Sequence, residues 1–337
     1  LIGIFLSENV SNEHLQLHKP EWDSNIHLSL DSKIILTGYS FSVTDIFPFK
    51  DELSRQIPHK RFSVSHLIQP LLFLRLRKKT RHMLMAKIEK ACWQYSMPDQ
   101  DCIALPNGTR TDEIIRIDDE AVIQDYNSQQ VFNFLKKESV QESLDKFRKY
   151  HLQFRHVKIL KAWDCCAASG GKTILLYDLL HHSLKPTVSD IRFSILLNLH
   201  KRFKKANIRY YDYFIGDFEK KIFPEAADSP FPIIICDAPC TGSGTWSRTP
   251  EQLYYFKKET IQVYSERQKR IVHNVLPFLA AGGLFFYITC SAFKQENEEI
   301  AAFIQNKPGY KQVFTELLKG WDKRADTMFV AVFRREF

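Results

Sequence analysis

Two periods of apolar residues alternate along the second half of this chain. Short β-branched runs predict strands over 159–163, 186–188, 210–215 and 232–236, from Gly282-Gly283 to Thr289, and over 328–333. Between them, apolar positions recur at helical spacing over 173–182, 193–205, 260–279 and 295–305. In 193–205 the pattern points Leu196, Leu197 and Leu199 inward. Strands that alternate with helices in this way predict an α/β fold with a doubly wound, mostly parallel sheet.

The first half is patterned differently. A strand is expected over 71–77, a helix over 83–93, and further strands over 102–106 and 114–117. That succession suits a small α+β module of ferredoxin or RRM type. A short strand over 122–125 and a helix through 132–135 lead into the large sheet. Residues 1–68 are weakly patterned, mostly helical or irregular, and show no chemistry of their own. The expected division is 1–68, a small module over 69–120, and a large domain over 121–337.

Charge adds a partner. The net charge is +8 and the pI about 9.0, which favours a polyanion. Arg75, Arg77, Lys78, Lys79 and Arg81 are expected to form a basic patch on the small module, set against the plainer reading of a solvated turn. The seven cysteines include no CxxC pair and no zinc-ligand spacing, so no metal is expected. Unpaired thiols suit a reducing compartment, hence cytoplasm. The best apolar run, 275–289, is too short to span a membrane. The N-terminus lacks a basic region and a starting Met, so a trimmed chain without a signal peptide is expected.

The chemistry gathers at strand ends. Asp164-Cys-Cys-Ala-Ala-Ser-Gly-Gly-Lys-Thr173 resembles a phosphate loop, but Cys166 stands where a Walker loop needs its first Gly. Cys166, Ala167, Ala168, Gly170 and Gly171 instead let the backbone approach a nucleoside after the first strand of the large sheet. Asp190, past the second strand, suits a ribose diol, and Asp217, past the third, suits an adenine amine. No GxGxxG is present, so this trio favours S-adenosylmethionine over a dinucleotide. The fourth strand ends in Asp237-Ala-Pro-Cys240 and the fifth in Thr289-Cys290-Ser291. Two strand ends could thus bring two sulfurs to one cleft. A thiolate that adds to carbon-6 of a pyrimidine makes carbon-5 able to attack a methyl sulfonium. A second thiol could assist release, and Asp237 could hold the ring's nitrogen-3 edge. The base must be unpaired or flipped out.

These residues, with Glu296-Asn297-Glu298, resemble the RsmB/Nop/Sun-type RNA cytosine carbon-5 methyltransferases, firmly over about 120–337 and weakly over Phe73–Arg77. The resemblance implies a Rossmann-like class I methyltransferase domain behind a small RNA-binding module. It makes Cys290 the nucleophile and Cys240 the release thiol. It gives Asp190 and Asp217 to the cofactor, and places Lys172 and Asp237 beside both cofactor and reacting base. It favours ribosomal RNA over transfer RNA; a monomer is expected. One departure stands out: Ser169 replaces the family's usual proline, which is expected to weaken cofactor affinity. A competing expectation is a non-catalytic RNA-binding or ribosome-assembly factor on the same scaffold.

Overall fold

The computed structural model describes residues 1–78, 80–142, 159–220 and 230–336. Two sheets carry the architecture. The small one contains β1 (Leu72–Leu76), β2 (Ser96–Asp99), β3 (Cys102–Leu105) and β4 (Ala121–Ile123), in the order β2-β3-β1-β4 and antiparallel throughout. The helix Arg81–Lys90 buries Leu84 and Ile88 against Leu74, Leu76, Ile103 and Leu105. β4 lies past the expected boundary at residue 120, yet it pairs with β1. The stretch 114–117 is not a strand. Asp and Glu surround its isoleucines, and only Ile117 makes an isolated bridge, to Ala121. β2 escaped the sequence pattern because Ser96-Met-Pro-Asp99 is exposed and has no apolar alternation.

The large sheet contains β5 (Leu160–Asp164), β6 (Leu184–Asp190), β7 (Asp212–Ile215), β8 (Phe231–Asp237), β9 (Leu279–Thr289), β10 (Tyr310–Leu318) and β11 (Met328–Arg335). Their order is β10-β11-β9-β8-β5-β6-β7. β9, β8, β5, β6 and β7 run parallel, and β11 and β10 join antiparallel. The doubly wound, mostly parallel α/β sheet is therefore as expected, with β10 added at one edge. β8 is apolar on both faces because both are covered: Ile234 and Cys236 enter one core, Ile233 and Ile235 the other. In the helix Phe193–Lys205, Leu196, Leu199 and Phe203 face inward; Leu197, expected inward, is 45% exposed, a turn of 100° from its neighbour. Strand order reverses between β5 and β8, so the carboxyl ends of these strands open the crevice where such sheets bind ligands.

The basic run behaves differently from expectation. Arg75 and Arg77 are 6% and 8% exposed and do not form a surface patch. Arg75 Nη1 and Arg77 Nη2 grip the carboxylate of Asp178 at 2.7 and 2.6 Å, on the helix Gly171–Leu179 of the large domain. Arg77 Nη1 also donates to the carbonyls of Asp118 and Ala206. Alternation along β1 turned these side chains toward the neighbouring domain, where Asp178 makes their burial affordable. Burial disfavours the Asp178 charge, but the two guanidiniums hold its carboxyl below the usual range. Lys78 is exposed, Arg81 lies near Asp101, and Lys79 lies outside the described residues. A cavity of about 680 Å³ lies beside this clamp, lined by Lys136, His181 and His182 among others, and is separate from both strand-end cysteines.

Asp178→Ala leaves two buried guanidiniums without their carboxylate. The expected loss is about 3–5 kcal/mol in urea unfolding. A loss under 1 kcal/mol, the scale of an exposed pair, would show that the clamp does not hold the two sheets together.

Candidate active site

Register brings the strand ends together. Asp237 pairs with Ile288, and the Ala238 N–H donates to the Ile288 carbonyl at 2.9 Å. The chains of β8 and β9 therefore leave the sheet side by side, after Asp237 and Thr289, three residues and one residue before their cysteines. Cys240 Sγ and Cys290 Sγ meet at 3.3 Å, so two residues fifty positions apart form one dithiol.

A buried carboxylate holds both loops. Glu296 accepts from the Thr241 backbone at 2.9 Å, from Thr241 Oγ1 at 2.6 Å, from Ser291 Oγ and from Gln268 Nε2 at 3.1 Å. Thr241 follows Cys240 and Ser291 follows Cys290. Burial raises the Glu296 carboxyl, and the hydrogen bonds from Ser291, Thr241 and Gln268 work against that rise. Gly244 adds a backbone tie: its N–H donates to the Cys290 carbonyl and its own carbonyl accepts from Thr327, each at 2.9 Å. A Cβ there would meet the Thr327 oxygen at 2.0 Å, so only glycine fits this crossing.

The segment 1–68, expected to carry no chemistry, braces the Cys290 loop. Leu53 bridges to Phe293, the Ser54 N–H donates to the Ala292 carbonyl, and Lys294 N–H donates to Glu52. Asn297 Nδ2 spans Ser54 Oγ at 3.0 Å and the Ser291 carbonyl at 2.8 Å. Phe47, Phe62, Trp246 and Phe293 pack beneath as one aromatic group.

The charged groups converge from the other strand ends. Lys172 Nζ lies 2.6 Å from Asp237 Oδ2. Burial works against the Lys172 charge, but Asp237 foremost, then Cys290 and Asp164, lift its pKa above the usual lysine value. Contact with the Cys290 sulfur, then burial and Glu296, drive the Cys240 thiol well above its ordinary range. Cys240 therefore keeps its proton and shares a hydrogen bond with Cys290, which has the Lys172 ammonium in its field. Burial pushes Asp164 up to about 7, with Asp237 and Cys166 adding to the rise and Thr173 opposing it.

The loop after β5 is organised by Asp190. Its carboxylate accepts from the Ala168 N–H at 3.0 Å and from Arg192, whose guanidinium lies at 3.0 and 3.2 Å. Gly216 N–H reaches the Asp190 carbonyl at 3.4 Å, which brings Asp217 alongside. Asp217 itself caps a turn through the amides of Glu219 and Lys220. Cys166, Ala167, Ala168, Gly170, Gly171, Lys172, Asp190 and Asp237 thus line adjoining strand ends. Gly170 has a reason other than ligand approach. Its φ is +83°, and a Cβ would strike Phe203 at 2.7 Å, so glycine lets the helix Phe193–Lys205 come close. Ser169, where the family has proline, accepts from Arg202 Nη1 at 2.9 Å while Arg202 grips Asp118. The hydroxyl thus replaces proline's stiffness with a tether to the small module.

These residues fit S-adenosylmethionine. Asp164 Oδ1 is buried at the end of β5 without a partner, an acceptor left for a donor such as an ammonium group. Asp190 supplies a second carboxylate one strand away, at the distance of neighbouring strands. Cys165, Cys166 and Cys236 also gather, with sulfurs within 4.8 Å of one another. Three thiols are one ligand short of a closed zinc site. Arg248 is a group the sequence reading missed: it ties Asp125 and Asp326 at 2.7 Å each, and no local pattern links three residues so far apart.

Two outcomes test this geometry. Glu296→Ala is expected to lower kcat at least tenfold with cofactor affinity within twofold, since it loosens both thiol loops but touches no cofactor residue; the unfolding free energy falls by about 1–3 kcal/mol. Unchanged kcat would remove Glu296 from the positioning role. Asp164 binds a proton more readily folded than unfolded, so its stabilising share is full below pH 3.8 and is lost as pH rises to about 7. Asp164→Asn is expected to remove a slope of about 1.4 kcal/mol per pH unit from the stability of the cofactor-free chain across that window.

Comparison with known proteins agrees with the geometry. A family model described as 16S rRNA methyltransferase RsmB/F matches residues 151–331, more than half of the chain. Ribosomal RNA small subunit methyltransferase B of Proteus mirabilis is 32% identical over 154 residues, covering 42% of this chain and 33% of the relative. Ribosomal RNA small subunit methyltransferase F of Shewanella amazonensis is 28% identical over 163 residues, covering 48% and 34%. The match thus spans about a third of the length of these curated relatives. NSun6 from Pyrococcus horikoshii, solved with SFG, superposes with a TM-score of 0.65 at 13% identity, over 87% of this chain and 96% of its own. A methyltransferase homologue from the same organism gives 0.63 at 18% identity, over 91% and 100%, and both share the fold. Among the described residues no helix is long and apolar enough to cross a membrane. The chain belongs to the RsmB/F family of 16S rRNA methyltransferases, enzymes whose methyl donor is S-adenosylmethionine.

Proposed function

We propose that this chain methylates carbon-5 of a cytosine in ribosomal RNA through a covalent adduct to Cys290. The observation that carries the reading is the dithiol, two sulfurs 3.3 Å apart beside the Lys172–Asp237 pair. A single thiol can add and leave; a second thiol that keeps its proton offers a donor to the departing sulfur.

The roles follow from the charges. Cys290, close to the Lys172 ammonium, is the sulfur that adds to carbon-6 of the base. Asp237 and Lys172 hold the nitrogen-3 and exocyclic edge, where charge gathers as the adduct forms. S-adenosylmethionine supplies an electrophilic methyl group. Cys166, Ala167, Ala168, Gly170, Gly171, Lys172, Asp190, Asp217 and Asp237 line its site, with Asp190 toward the ribose hydroxyls and Asp217 toward the adenine. The carbon-5 proton then passes to solvent water in the cleft, its electron pair re-forms the carbon-5–carbon-6 double bond, and the carbon–sulfur bond breaks with its pair going to the Cys290 sulfur. Cys240 donates its S–H toward the departing Cys290 sulfur and so stabilises the leaving thiolate. The base reaches this cleft only when unpaired or turned out of a helix. The small module, basic at Lys78 and Arg81, is the RNA-facing part of residues 69–120. A monomer in the cytoplasm is the form proposed.

Nucleoside mass spectrometry of cellular RNA, with and without this gene, is expected to show loss of one 5-methylcytosine from small-subunit ribosomal RNA. Loss from transfer RNA would keep the chemistry and overturn the substrate, and no loss from either would favour a non-catalytic factor. Cys240→Ala is expected to accumulate a denaturant-resistant protein–RNA band under turnover, and Cys290→Ala to form none. A band from Cys290→Ala would overturn the assignment of the nucleophile.

A further inference from the structure

Cys240 and Cys290 are within hydrogen-bond reach of one another. A disulfide needs a sulfur separation of about 2.05 Å, and the pair already stands at 3.3 Å. Rotation of two side chains, moving the sulfurs by about an ångström, closes the gap. The loops cannot drift apart, because Glu296 holds Thr241 and Ser291 on one carboxylate and Gly244 ties the two backbones. Both cysteines are half-buried, so a small oxidant reaches them while bulky reagents are impeded. Lys172 supplies a positive charge beside Cys290, with Asp237, Asp164 and Glu296 as the other charged groups around the pair.

We propose that this dithiol is an oxidative modification site for hydroperoxides, which close it to a Cys240–Cys290 disulfide that a dithiol reductant reopens. The Cys290 thiolate attacks one peroxide oxygen, the O–O bond breaks, and hydroxide leaves and takes up a proton as water. Cys290 is then a sulfenic acid. The Cys240 sulfur attacks the Cys290 sulfur, the S–O bond breaks, and the Cys240 proton departs with that oxygen as a second water. Two thiols lose two electrons and one hydrogen peroxide becomes two waters. The closed form has no free Cys290 to add to a base. Of the other cysteines Cys165, Cys236 and Cys102 are buried, while Cys166 is half-buried like the pair and has the sulfurs of Cys165 and Cys236 within 4.8 Å, which makes it the rival oxidation site. Cys92 is exposed and serves as an internal comparison.

The chemistry needs neither RNA nor methyl donor, so it stands or falls apart from the methyl-transfer reading. The full chain is treated with a few equivalents of hydrogen peroxide, free thiols are alkylated under denaturing conditions, and peptides are mapped by mass spectrometry. The expected result is loss of two of the seven thiols, a mass lower by about 2 Da, a peptide linking Cys240 to Cys290, and full recovery with dithiothreitol. In Cys240→Ser, Cys290 is expected to stop at the sulfenic acid and take a 1,3-dicarbonyl probe; in Cys290→Ser, Cys240 is expected to remain a thiol. Oxidation of Cys92 while Cys240 and Cys290 both remain alkylatable overturns the proposal. So does a linked peptide joining Cys165, Cys166 or Cys236 in place of the pair.

Discussion

The site depends on one buried carboxylate. Glu296 has no exposure and accepts hydrogen bonds from the residues that directly follow each strand-end cysteine. A sheet alone delivers Cys240 and Cys290 to neighbouring positions but leaves their loops free to splay. A charged acceptor with several donors makes the two loops a single body, because leaving any of those donors unpaired in the interior costs more than the bond returns in water. The 3.3 Å sulfur separation is a consequence of that closure.

Around this body the charges are arranged as an unequal pair of thiols. Cys240 lies toward Glu296 and is held protonated; Cys290 lies toward Lys172. The same strand ends carry Asp237, Asp164 and Asp190, so three carboxylates crowd a crevice with Lys172 and Arg192 as their cations. Burial foremost, with Asp237 adding to it, pushes the Asp164 carboxyl up to about 7. A site of this kind gains its reactivity from environment rather than from unusual residues.

The two smaller parts of the chain act on the site from opposite sides. Residues 47–62 press Phe47, Leu53 and Phe62 under the Cys290 loop, and Ser54 enters its hydrogen-bond network. The small sheet is locked to the helix that begins beside Lys172 by Arg75 and Arg77 on Asp178, and to the loop after β5 by Asp118 through Arg202 and Ser169. The serine that departs from the family's motif meets Arg202 of its own domain, and Arg202 in turn grips Asp118 of the small module.

Local pattern by itself determined the strands that are covered on both faces, the helices with a clear inward stripe, and the acids and cysteines at strand ends. β-branched runs and period-specific spacing act over a few residues, so Ile233–Cys236 and Phe193–Lys205 announce themselves. Glycine spacing and strand-end acids likewise pointed to the crevice at β5 and β8. What pattern alone left open is every feature set by a partner far along the chain. The exposed strand β2 has no apolar signature, and β10 alternates too weakly to stand out until β11 pairs with it. Arg75 and Arg77 read as a surface patch because nothing in their neighbourhood names Asp178, about a hundred residues on. The Glu296 clamp, the Ser54 brace, the Arg248 tie and the proximity of the two sulfurs are decided by which strands lie side by side. Strand order is a property of the whole sheet, and only the folded chain brings those groups within hydrogen-bond range.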